Sequence, residues 1–162
     1  MKKLFIIIFV LLGHINLYSF EKLNIGYGQD LDSSDVLKIS AIKKLDYVFI
    51  KDTKMDFEVS AEYLKGKKDD MFIFSAQPII SYDITDKLYS EFGIGIAYLT
   101  KDEIDDRRYG IQFHFKGSLG LGYKFSDSFE SKLNITHYSN GNSHNDENEG
   151  LDIVMLNLIY SF

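Results

Sequence analysis

Three residues in the last part of the chain have the types that activate a nucleophile: His137, Ser139 and Asp152. A serine hydroxyl attacks well when an imidazole takes its proton and an acid fixes the imidazole's tautomer. One residue separates His137 from Ser139, so on an extended strand both share a face with Leu133 and Ile135. Two polar groups therefore continue an apolar row. Along an ideal strand they stand roughly 6.6 to 7 Å apart, and a direct bond between them needs a bend near Ser139. Gly141, free to take positive φ, can supply it. Asp152 opens the last alternating segment, and facing side chains on adjacent antiparallel strands are about 4.5 to 5.5 Å apart, which brings it within reach of His137. The same residues also suit a plainer role as hydrated polar groups at the rim of a membrane protein.

The elements that must position these residues are strands. After residue 21 the chain breaks into alternating segments separated by polar clusters, with little helical periodicity. Eight strands are predicted: 22–29, 36–49, 55–63, 71–82, 88–98, 111–125, 129–140 and 151–162. The second is weakened by Lys43-Lys44, and Pro78 in the fourth predicts a bulge or a locally broken pairing because proline has no N–H for the ladder. The third sets Met55, Phe57, Val59, Ala61 and Tyr63 against Asp56, Glu58, Ser60 and Glu62. Connections after the second, fourth and sixth strands read as tight, and those after the first, third, fifth and seventh as longer and charged, as in an outer-membrane barrel.

The apolar rows begin or end in Tyr27, Tyr63, Tyr82, Tyr98, Tyr123 and Tyr160, as in the aromatic girdles of such barrels, while the opposite rows are polar or small and suit a filled lumen. His114 falls in that interior row. The terminal Phe162 after alternating apolar residues resembles the C-terminal signature of bacterial outer-membrane proteins. Lys2-Lys3 followed by the apolar run 4–12 has the layout of a secretory signal, read as residues 1–19, and that run is too short to span a bilayer as a helix. The fold class expected is an all-β, eight-stranded antiparallel up-and-down transmembrane β-barrel over residues 20–162. A net charge of -6 with no basic stripe excludes a nucleic-acid partner, and the absence of cysteine excludes disulfides and thiolate metal sites.

His137-Tyr138-Ser139-Asn140-Gly141, followed by Asn148-Glu149-Gly150-Leu151-Asp152 and a final strand, resembles the outer-membrane lipid A 3-O-deacylase (PagL) family. Pro78, the Phe/Ile–Gly alternation of the fifth strand and the row from Phe115 to Phe125 extend the likeness across the mature chain. The resemblance implies an outer-leaflet serine esterase that removes a 3-hydroxyacyl chain from lipid A, the lipid of lipopolysaccharide, with no cofactor and no metal. It assigns Ser139 as nucleophile, His137 as base and Asp152 at the place of the family's glutamate. Oxyanion donors and orienting groups fall at Asn140, Gly141 and Asn142.

Asp152 is one methylene shorter than the family's acid, which leaves Glu149, in the opposite register, and Glu147 as alternative acids, and His144 as a rival base. Lys101, Arg107 and Arg108 are candidates for a lipid phosphate. The partners expected are lipid A and outer-membrane lipid, with room for a homodimer. The rival reading is a non-catalytic barrel of the OmpA or OmpX type with a structural or surface role.

Overall fold

A computed structural model describes residues 20–46, 48, 50–141 and 149–162. Residues 1–19, expected to be a signal, and Tyr47, Phe49, Asn142, His144 and Glu147 lie outside the described residues. Eight long strands close into an antiparallel barrel: β1 (Lys22–Asp30), β2 (Asp35–Leu45), β3 (Lys54–Lys65), β4 (Asp70–Asp83), β5 (Leu88–Leu99), β8 (Phe113–Lys124), β9 (Phe129–Ser139) and β10 (Leu151–Ser161). Two short strands, β6 (Glu103–Ile104) and β7 (Arg107–Arg108), form a hairpin inside the connection from β5 to β8. The expectation there was only a charged loop. Each long strand pairs with its chain neighbour, and β1 closes on β10 from Lys22↔Ser161 to Asp30↔Ile153.

Alternation decides which way each side chain points. The outward rows are apolar and exposed, among them Ile39, Phe74, Ile94, Leu119, Ile135 and Leu158. The inward rows carry polar groups and are buried. A closed barrel satisfies every backbone group between strands, so this wall can face hydrocarbon. Aromatic pairs stand at both margins, Tyr63 with Phe72 and Tyr98 with Phe113 at one, Tyr123 with Phe125 and Phe129 with Tyr160 at the other.

Two sequence expectations need correction. β2 ends at Leu45 and not at Phe49, so the connection to β3 runs over 46–53 and is not tight. The connections 31–34 and 66–69 are as short as those at 84–87 and 125–128, so at that end of the barrel only two loops, 100–112 and 140–150, are long. Of the two outcomes expected at Pro78, the structure has the locally broken pairing: β4 keeps one register with β5 from Ala76↔Ile96 to Ile79↔Gly93, and the ladder lapses at residues 77 and 78.

The lumen is packed with ions that satisfy one another. Glu58 accepts from Lys38 at 2.8 Å, Ser40 at 2.7 Å and Gln77 at 2.7 Å. Lys116 lies 3.4 Å from Glu62 and donates to Ser75 at 2.9 Å, and Lys132 pairs with Glu91 at 2.7 Å. Removing one member of a buried pair leaves its partner charged and unmatched. Glu58→Gln is accordingly expected to lower barrel stability by about 3–5 kcal/mol, read as a lower urea midpoint for loss of heat-modifiable gel mobility. An unshifted midpoint would show that the lumen network is rehydrated at no cost.

Above this network an apolar layer closes one end of the lumen: Val36, Leu64, Met71, Ile73, Leu99, Leu151 and Ile153 pack with Ile104 and Tyr109 from the hairpin loop. The hairpin also ties the other three loops at that end together. Arg107 bridges Asp30 at 2.5 Å and Asp32 at 2.7 Å in the first. Asp105 accepts the N–H groups of Lys67 at 2.9 Å and Lys68 at 2.8 Å in the second. Those amides, Lys67 first, hold the Asp105 carboxyl below the ordinary aspartate range. A depressed acid favours the folded clasp above its unfolded value and loses that contribution only as pH falls through the folded one. In the third, Glu149 donates its N–H to the Arg108 carbonyl at 3.3 Å.

Arg107 and Lys101, read from sequence as phosphate contacts, thus face acids: Lys101 pairs with Asp69 at 2.9 Å, and Arg108 lies 3.6 Å from Glu103. The Asp30 side chain is fully buried, so Arg107→Met strands a carboxylate. That substitution is expected to cost about 2–4 kcal/mol and to expose the loops of this end to limited proteolysis while the barrel stays closed. Unchanged cleavage of these loops would remove the clasp role.

Candidate active site

The site stands where β9 meets the loop at 140–150, at the end covered by the hairpin. Asp152 pairs directly across the ladder with His137, and His137 pairs on its other side with Gly117. His137 Nδ1 and Asp152 Oδ1 are 2.8 Å apart, with 54% and 41% of the two side chains exposed. Both therefore face outward, in the row the alternation assigns to lipid. An imidazole whose Nδ1–H is given to a carboxylate presents Nε2 as the proton acceptor. The shorter acid reaches the imidazole because the register places the two backbones directly opposite, so no extra methylene is needed.

Ser139 is half-buried on the same outward row, one pair nearer the rim, opposite Phe115. Pairing of β9 with β10 stops at Tyr138↔Leu151, which leaves Ser139 past the end of that ladder. Gly141 follows with φ +66°, and its N–H donates to Ser139 Oγ at 3.1 Å. A turn in the left-handed region thus folds a backbone donor back over the hydroxyl. Gly150, at φ +65°, is confined from two sides, since an added Cβ would lie 3.3 Å from His137 Cε1. A side chain there would be strained by the positive φ and would require the imidazole to shift by a few tenths of an ångström.

Asn140 points the other way. It is buried at 1% exposure and its Nδ2 donates to the Tyr109 carbonyl at 2.7 Å. Its carboxamide is turned toward the lumen, where it ties the residue after Ser139 to the hairpin loop. Glu149 is exposed, with its backbone held by Arg108, while Asp152 is the acid bonded to His137. Asn142, His144 and Glu147 are beyond the described residues.

Sequence reasoning missed what holds this rim from within. Tyr138, between His137 and Ser139, is fully buried and donates to the Glu62 carboxylate, with 2.8 Å to each oxygen, while Lys116 Nζ lies 5.6 Å from its ring centre. The signal available was a tyrosine in a lumen-facing row whose counterpart on β3 is the charged face. His114 is inward as expected but belongs to the apolar cap and not to the ion network: its Nε2 lies 2.7 Å from the Ile111 carbonyl, and its ring meets Tyr109 edge-on at 6.1 Å. Burial pushes the Tyr109 hydroxyl up to about 12.

Comparison with known proteins follows this geometry. The chain is 34% identical over 88 residues to the lipid A deacylase PagL of Bordetella bronchiseptica, a match that covers 54% of this chain and 49% of that protein. It spans about half the length of that curated relative. Its fold matches the crystal structure of the outer membrane enzyme PagL with a TM-score of 0.78 at 19% identity, over 87% of this chain and 99% of that one. Neisserial surface protein A shares the barrel more distantly, with a TM-score of 0.52 at 13% identity over 87% of this chain and 94% of the other. These two structural likenesses speak to fold alone. The sequence model of lipid A 3-O-deacylase (PagL) matches residues 48–161, most of the barrel and all of the site, and the chain belongs to that family.

Proposed function

We propose that this protein is an outer-membrane esterase that hydrolyses an ester-linked acyl chain of lipid A, with Ser139 as nucleophile, His137 as general base and Asp152 as the acid that orients it. One observation carries the reading: in a chain of this family, an imidazole bonded to a carboxylate at 2.8 Å stands on the lipid-facing wall beside a serine that already accepts a backbone N–H. An ionisable pair on an apolar wall is costly unless it serves a reaction there. Substrate reaches it laterally, from the leaflet, without entering the lumen. Residues 1–19 serve as the export signal, and the long-loop end faces the outer leaflet.

The chemistry follows from the atoms present. Ser139 Oγ attacks the ester carbonyl as His137 Nε2 takes the hydroxyl proton, and Asp152 stabilises the imidazolium that results. The Gly141 N–H, which rests against Oγ, is placed beside the carbon under attack, where it can donate to the developing oxyanion. The tetrahedral adduct collapses as the imidazolium returns its proton to the departing sugar oxygen, leaving an acyl-serine. Water, deprotonated by the same imidazole, releases the fatty acid and restores Ser139.

The direct test is mass spectrometry of lipid A from a host that expresses the chain. The expected result is a species lighter by one acyl chain. An unaltered profile, with barrel present in the outer membrane, would favour the structural OmpA- or OmpX-type reading.

A further inference from the structure

Gly117 is the strand glycine for which the fold gives no reason. The six other strand glycines, at 26, 28, 93, 95, 120 and 122, sit where an added Cβ would come within 3 Å of a neighbour. At Gly117 an added Cβ would meet nothing within 4 Å, and its φ is not positive. Glycine in a strand interior weakens the strand and often marks a close approach by something else. Gly117 lies in the outward row of β8 between Phe115, 63% exposed, and Leu119, 62% exposed. Across the ladders it faces His137 on one side and Ile94, 58% exposed, on the other. The lipid-facing wall, elsewhere covered by large side chains in this region, has a pit directly beside the imidazole.

The pit is also in line with the ester. Ser139 is paired with Phe115, one step nearer the rim, and Ile135 with Leu119, one step deeper. A chain leaving the carbonyl at Ser139 toward the membrane interior runs past Gly117 and on between Leu119 and Ile135. We propose that Gly117 is a specificity-determining residue: the pit it leaves seats the first methylenes of the scissile acyl chain. Its neighbours on the outward rows are Phe115, Leu119, Ile94 and His137, so the pit reads the bulk of the chain. This rests on the hydrolase reading of Ser139.

The test uses the full chain in detergent micelles with p-nitrophenyl butyrate and myristate. A Cβ at 117 meets nothing within 4 Å and leucine suits a lipid-facing strand, so Gly117→Leu should fold, with Gly117→Ala as the smaller step. Filling the pit is expected to lower kcat/KM for myristate about tenfold or more, as a pocket altered by a few methylenes does, to change butyrate less than about threefold, and to leave alanine between wild type and leucine. Equal loss on butyrate and myristate, or an unchanged chain-length profile, overturns the pit. Wild type that leaves lipid A fully acylated overturns the hydrolase reading itself, which keeps the two failures apart.

Discussion

Ser139→Ala is expected to leave lipid A fully acylated in cells and to lower the purified enzyme's kcat by about 10⁴-fold or more, as removal of a nucleophile does in serine hydrolases. The hydroxyl lies at the end of the β9 ladder with its Oγ on the Gly141 N–H, so its loss touches no lumen contact. Heat-modifiable mobility should therefore be that of wild type. The variant separates chemistry from architecture: an alanine variant that kept a tenth or more of the activity would remove Ser139 from the reaction, and with it the acyl-enzyme.

Asp152→Asn is expected to lower kcat by about 10³–10⁴-fold with a small change in KM, because the amide offers the imidazole the wrong tautomer while preserving shape. The geometry makes this sharp. Asp152 faces His137 across one rung, with 2.8 Å between Nδ1 and Oδ1, whereas Glu149 is exposed and its backbone is held by Arg108. Glu149→Gln should consequently retain activity within about threefold, since it removes a solvated charge that touches neither reacting group. Paired kinetics of the two variants on one ester decide the acid, and a Glu149→Gln enzyme more damaged than Asp152→Asn would transfer the role to Glu149.

The two variants probe different links in one chain of cause. Asp152 acts through the register of β9 against β10, which closes at Tyr138↔Leu151 immediately before the turn at Ser139. Tyr138 anchors that register from inside by its bonds to Glu62, so the lumen ions stabilise the barrel and also hold the rim that carries His137 and Ser139. Asn140 adds a second tether, from the residue after Ser139 to the Tyr109 carbonyl of the hairpin loop. The site is thus set on two strands and a clasped loop, as precise placement of reacting groups requires.

By itself the sequence determined the eight barrel strands, the direction of each row and the membership of His137, Ser139 and Asp152 in one outward face. Those follow from a period of two, which is local and survives without knowledge of partners. It also held a silent mark of the pit, since the outward apolar row of β8 from Phe113 to Tyr123 is interrupted only at Gly117. What tertiary structure alone decided is everything that depends on which strand meets which and in what register. The directness of the Asp152–His137 contact, the inward turn of Asn140, the pairing of Arg107 with a buried Asp30, and the role of β6 and β7 as a clasp all join residues far apart in the chain. Alternation says only that a side chain points in or out. Closure of the barrel decides what it finds there, because ladder register fixes neighbours that no spacing along the chain encodes.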